Sequence, residues 1–168
     1  MAYAVVRTDN MFGTDVRAGL VSIKYMGANG TTPTAIQNGN VLKVGALMSG
    51  EREIFVGAAP AANDDLKDIV LVATPEVMYD ERKRNLDEFI NEAGRACRGY
   101  RLHKGDIFSV TKDALDGVAA PAIGNVVELK AGTKLNVAAS ATSGSTQVGK
   151  IIAIDVVGRY TYYVILVG

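Results

Sequence analysis

Short apolar runs alternate with turn residues along this chain, and their spacing is that of an all-β fold. Alternating or β-branched runs cover 20–25, 40–47, 52–56, 68–73, 106–111, 125–129, 134–138, 148–157 and 160–167. Between them lie turn pairs such as Asn38-Gly39, Ser49-Gly50, Ala131-Gly132 and Gly158-Arg159. Strands at such spacing, joined by tight turns, predict a mainly β protein: a compact antiparallel β-barrel or sandwich. Three neighbouring pairs read as hairpins: 40–47 with 52–56, 125–129 with 134–138, and 148–157 with 160–167. The stretches 38–47 and 124–133 echo each other as hairpins of one barrel do, and 138–147 reads as a flexible Ala-, Ser- and Thr-rich loop with the composition of a contact patch.

The closing hairpin is apolar on both faces. In 160–167, Tyr160, Tyr162, Val164 and Leu166 alternate with Thr161, Tyr163, Ile165 and Val167. Parallel sheets cover such strands with crossover helices, and this chain has at most one helix to offer. Burying an apolar side chain is worth roughly 1.5–3 kcal/mol, so the second face is expected to seek cover from a neighbouring subunit. Tyr160, Tyr162 and Tyr163 are therefore candidate contact residues.

The interruption of the β pattern lies at 74–94. Leu86, Phe89, Ile90 and Ala93 have helical spacing, with Asp80 and Gly94 as caps, which predicts a helix over about 80–92. Asn91 and the polar run 80–85 suit a long loop equally well. The expectation for 76–94 is thus one short helix or a long loop, its charges forming a solvated face or a rim that meets a partner. At the other end, Tyr3, Val5 and Arg7 alternate with Ala2, Ala4 and Val6. This pattern fits an N-terminal arm over 1–17 that adds a strand to a partner's edge, and equally a first strand of the chain's own barrel. The rest, 18–168, reads as a single β-rich domain with an excursion at 74–94.

Composition narrows the function classes. Eighteen Lys plus Arg balance eighteen Asp plus Glu among 168 residues, which lacks the positive field of a general nucleic-acid binder. No apolar run reaches membrane-spanning length, and Arg7 and Asp9 stand where a signal peptide is apolar. The expectation is a protein made in a cytoplasm, binding neither nucleic acid nor membrane. Cys97 and His103 are each the only residue of their kind, so no internal disulfide or cysteine-based metal cluster forms within one chain. Cys97 has Arg95 and Arg98 nearby, an environment that activates a thiol, although a small buried core thiol is the simpler reading. His103 reads as a turn histidine. Asp64-Asp65 and Asp87-Glu88 read as solubility charges without a spaced metal partner, and the glycines do not open a phosphate-binding helix. The basic set Arg82, Lys83, Arg84, Arg95, Arg98, Arg101 and Lys104, with Tyr100 among them, suits solvation, an acidic protein surface or a phosphate backbone. The residues therefore imply no catalytic, cofactor or metal site, and an investment in surface.

Two segments carry a resemblance. EFINEAGRACRGYRLHKGDIFSVT (88–111), followed by VGKIIAIDVVGRYTYYVILVG (148–168), resembles small structural proteins encoded among the head genes of long-tailed bacteriophages and prophages of Gram-positive bacteria. These are the capsid decoration, or auxiliary head-stabilising, proteins. The resemblance implies a β-barrel that forms trimers or other small oligomers on the outside of the capsid, with the major capsid protein and itself as partners. It implies a place on the virion surface and a role in stabilising the head. An N-terminal segment paired with the shell's sheet would make Tyr3, Val5 and Arg7 capsid contacts. Alternatives are another virion component, such as a tail or head-completion protein, or a surface module that adheres to bacteria or glycans.

Overall fold

A computed structural model of the chain describes residues 3–7 and 19–168. Among these it forms the strands β1 (Leu20–Tyr25), β2 (Val41–Leu47), β3 (Ile54–Ala58), β4 (Ile69–Val72), β5 (Cys97–Arg101), β6 (Ile107–Thr111), β7 (Leu115–Gly117), β8 (Val126–Glu128), β9 (Leu135–Ala138), β10 (Gln147–Val157) and β11 (Tyr160–Val167). The first five close into a barrel in the order β1-β3-β2-β4-β5. The other six make one sheet in the order β6-β11-β10-β8-β9-β7. The fold is mainly β, as the spacing predicts, and the three expected hairpins form. Two pairings depart from the antiparallel expectation: β1 with β3 and β7 with β9 run parallel.

β4 joins the two halves. Its sequence, Ile-Val-Leu-Val, is buried throughout because each face has its own core. Val70 and Val72 point into the barrel with Val21, Ile23, Leu42 and Cys97. Ile69 and Leu71 point the other way, against Phe108, Val110, Leu135 and Ile165 of the sheet. The barrel interior is narrow enough to demand glycine. A Cβ on Gly99 would lie 2.8 Å from Val70 Cγ2, and one on Gly57 2.9 Å from Ile23 Cγ1.

The excursion at 74–94 is the long loop, and the helix over 80–92 does not form. Its one helical element is a single 3₁₀ turn at Leu86–Glu88. Local polar groups claim the backbone that a helix would need. The Glu88 carboxylate accepts hydrogen bonds from the Arg84 and Asn85 N–H groups at 2.8 and 2.9 Å. Asn91 is held further away in sequence. Its N–H and carbonyl pair with Ile36 at 3.0 and 2.9 Å, and its side-chain amide donates to the Ile36 carbonyl and to Asn38 Oδ1. Buried Asn38 also donates to the Thr74 carbonyl at 2.7 Å and accepts from the Thr74 N–H at 3.0 Å. The two asparagines thus pin both ends of the excursion to the loop that precedes β2.

Residues 3–7 run along the outer side of β6. Val6 bridges Val110, the Arg7 N–H donates to the Ser109 carbonyl at 3.1 Å, and the Thr111 N–H donates to the Val5 carbonyl at 3.0 Å. Ala4, Val5 and Val6 are buried there. The remainder of the expected arm, 1–2 and 8–17, lies outside the described residues. Among the described residues, no helix is long and apolar enough to cross a membrane.

Candidate interaction surface

The tip of the β10–β11 hairpin is where the expected contact residues gather. Val157 faces Tyr160 across a two-residue turn, and Gly158 takes φ +59° as the first turn residue, a conformation that glycine enters without steric cost. Asp155 then lies opposite Tyr162, and Val156 opposite Thr161. The Tyr160 and Tyr162 rings are 6.1 Å apart and tilted by 52°. The Arg7 guanidinium sits 5.6 Å from the Tyr162 ring centre.

Asp87 clasps this tip. Its carboxylate accepts a hydrogen bond from the Tyr160 hydroxyl at 2.9 Å and pairs with the Arg159 guanidinium, which lies 5.1 Å over the Tyr160 ring. Its backbone carbonyl accepts from the Tyr3 N–H at 2.9 Å. One residue of the excursion therefore ties together the N-terminal segment and the hairpin, so the outer face of Tyr160 and Tyr162 is covered by this chain itself. Asp87 is a structural anchor, contrary to its expected role as a solubility charge. Burial pushes its carboxyl up, but the Tyr160 hydroxyl and Arg159 outweigh that and hold it below the usual carboxylate range. Burial, together with the bond to Asp87, raises the Tyr160 phenol. Beside the clasp is a cleft of about 590 Å³, bordered by Arg7, Glu76, Leu86, Val157 and Tyr160.

Tyr3, Arg7, Tyr160 and Tyr162 thus meet around one clasp, with Val5 beside them on the edge of β6. Tyr163 belongs to the opposite face and packs against the main core. Val5 and Tyr162 are 1% and 2% exposed, so their side chains contact their own chain. The exposed apolar side chains of the hairpin are instead Ile152, Ile154, Val156, Val157 and Leu166, with Val156 exposed to 73%. Sequence reasoning marked the tyrosines of β11 and passed over β10. The available signal was the run Ile151-Ile152-Ala153-Ile154-Asp155-Val156-Val157, whose only charge is Asp155.

The other chemically interesting residues have structural partners. Cys97 is buried and its thiol donates to the Ile23 carbonyl at 3.1 Å; burial pushes the thiol up to about 12. His103 stands half-exposed in a turn, where its N–H donates to Asp106 Oδ2 at 2.9 Å. Asp64 pairs with Lys43 at 2.5 Å, and Asp65 receives the Lys67 N–H that opens a 3₁₀ turn. Within the basic set, Arg82 pairs with Asp80 and Arg95 with Glu92, while Arg101 donates to the Lys67 carbonyl. Buried Glu128 accepts from Asn136 and from the Thr142 N–H. Among the described residues, no group of three or more His, Cys, Asp or Glu is placed to hold a metal ion. Comparison with protein-family models, curated proteins and solved structures finds no match to this chain.

Proposed function

We propose that this chain is a structural virion protein that binds the outside of a phage capsid and stabilises the shell by contact, without turnover. The observation that carries the reading is the exposed apolar strand Ile152–Val157, displayed on a hairpin whose other face and tip are anchored in the chain's own fold. A β scaffold that exposes β-branched side chains, while Asn38, Asp87, Asn91 and Glu128 are occupied by structural bonds, is suited to binding a protein surface. The resemblance of 88–111 and 148–168 to decoration proteins supplies the kind of surface: the major capsid protein on the virion exterior. A closed homotrimer would engage several shell subunits at once, so a modest affinity per contact becomes a large one. The zero formal net charge suits a surface crowded with copies.

The test is made on particles lacking the protein. Adding it back should raise their melting temperature and their retention of DNA, with light scattering of the free protein reporting the oligomer. Absence of binding to the shell refutes the reading; full occupancy with unchanged melting leaves attachment without stabilisation.

A further inference from the structure

β10 has one finished side and one open side. β11 pairs with it from Gly149 to Val157, but β8 accompanies it only from Gln147 to Lys150. Asn125 and Gly124 extend that cover by one residue, through the Ile151 N–H and carbonyl at 3.0 and 2.8 Å. Past Ile151, among the described residues, no hydrogen bond reaches the outer side of the strand.

The register says which backbone groups are left over. In an antiparallel pair, residues that exchange hydrogen bonds alternate with residues that turn theirs away. A two-residue turn closes on a bonded pair, here Val157 with Tyr160, so Asp155 with Tyr162 is the next. The N–H and carbonyl groups of Ile154 and Val156 therefore point outward, and their side chains are exposed as well. Such an edge is a template for another strand.

Charge decides which strand. Two copies meeting edge to edge would satisfy all four outward groups by setting Ile154 of each against Val156 of the other. That register places Asp155 directly opposite Asp155, where like charges are destabilising. Sliding to Ile154 against Ile154 sets Val156 against Ile152, at the register break between Ile151 and Ala153. The edge therefore disfavours its own copy and favours a strand with a cation at the central position.

We propose that the outer edge of β10, from Ile152 to Val157, accepts an extended segment of a different protein by β-augmentation. That segment carries Lys or Arg opposite Asp155 and β-branched residues opposite Ile154 and Val156. The inference rests on the capsid reading only for the source of the strand, which is then the shell protein.

The probe is the peptide Val-Thr-Val-Lys-Val-Thr-Val, beside a twin with Glu in place of Lys, titrated into the full-length isotopically labelled protein. The Lys peptide should slow amide exchange at Ile154 and Val156 and bind about two- to fivefold more tightly than its twin, as expected for an exposed cross-strand charge pair. Asp155→Lys, which leaves the ladder to β11 intact, should reverse the order. Val156→Pro removes an outward N–H, as edge strands tolerate, and should abolish binding of both. Equal binding of the two peptides, no protection at these amides, or dimerisation of the native protein through them overturns the inference. Particles separate the two readings. If native protein and Val156→Pro decorate shells equally, the assignment of the strand to the shell protein is overturned and the capsid reading stands. If the native protein does not bind shells at all, the capsid reading fails and the peptide result still decides the edge.

Discussion

Tyr160→Phe removes one hydroxyl from the hairpin tip and keeps the ring beneath Arg159, so it isolates the hydrogen bond to Asp87. Bonds to a charged group are worth roughly 1.5–3 kcal/mol when one partner is lost. The Asp87 side chain is 14% exposed, which limits how far water can replace the hydroxyl, while Arg159 still neutralises the charge. The lower end, about 1.5 kcal/mol, is the expected cost, equivalent to about 3–6 °C in Tm for a domain of this size. Asp87→Asn removes the charge that both partners address and should cost at least as much. The double variant should fall short of the sum by about 1 kcal/mol, because the two residues share one interaction. The pH dependence has a definite sign. The folded-state carboxyl of Asp87 lies below its unfolded value, so its contribution is fully present above the unfolded pKa and is lost as pH falls through the folded one. The stability difference between native protein and Asp87→Asn should therefore be largest near neutrality and shrink on acidification. Glu128 is also held low, by partners outside the clasp, and cancels in the difference. Glu88 is held low too, but the Asp87 charge raises it, so Asp87→Asn lowers it further and offsets part of the trend. Thermal melts by circular dichroism between pH 7 and pH 3 measure all of this. Zero coupling at neutral pH, or a difference that persists unchanged to pH 3, would refute the clasp.

Gly99→Ala should destabilise by about 1–3 kcal/mol through overpacking, since the new methyl would lie 2.8 Å from Val70 Cγ2; the midpoint of urea unfolding reads it. Asn38→Ala strips four hydrogen bonds from a buried position and should cost about 2–3 kcal/mol, with protease cleavage rising first inside 74–94. The Cys97 thiol should react with a thiol reagent only at the rate of unfolding, because it is buried and pushed up to about 12. Cys97→Ser and His103→Ala should bind particles as the native protein does; loss of binding by well-folded His103→Ala would reveal a site at that turn.

How much of this was legible follows from which interactions are local. β1 and β11 have the expected bounds and the other predicted strands lie within two residues of theirs, because alternation and turn chemistry are read within a few residues of sequence. β5 was missed because its inward residues are Cys97 and Gly99, with Arg98 between them. A barrel too narrow for a side chain uses glycine at the position where a hydrophobic pattern would show an apolar residue. β7 is three residues long and parallel to β9, and its partner is set by the tertiary fold. The helix over 80–92 failed for a related reason: Leu86, Phe89, Ile90 and Ala93 have helical spacing, but Asn91 is committed to Ile36 and Asn38, far away in sequence.

The two-sided hairpin shows the same limit at the surface that matters most. Its apolar faces were evident, but the cover for Tyr160 and Tyr162 comes from 3–7 and Asp87, and no local pattern announces a contact between positions that far apart. The irregularity in β10 is subtler. Ile151 pairs with Ile165 and Ile154 with Tyr163, so a break in register between them puts residues three apart on one face. A strand of strict period two would send Ile154 and Val156 to the face opposite Ile151. The extra residue returns them to the core side of the sheet, beyond the point where the core ends, and so leaves them exposed. One inserted position thus turns what reads as an ordinary buried strand into an apolar edge guarded by a single aspartate.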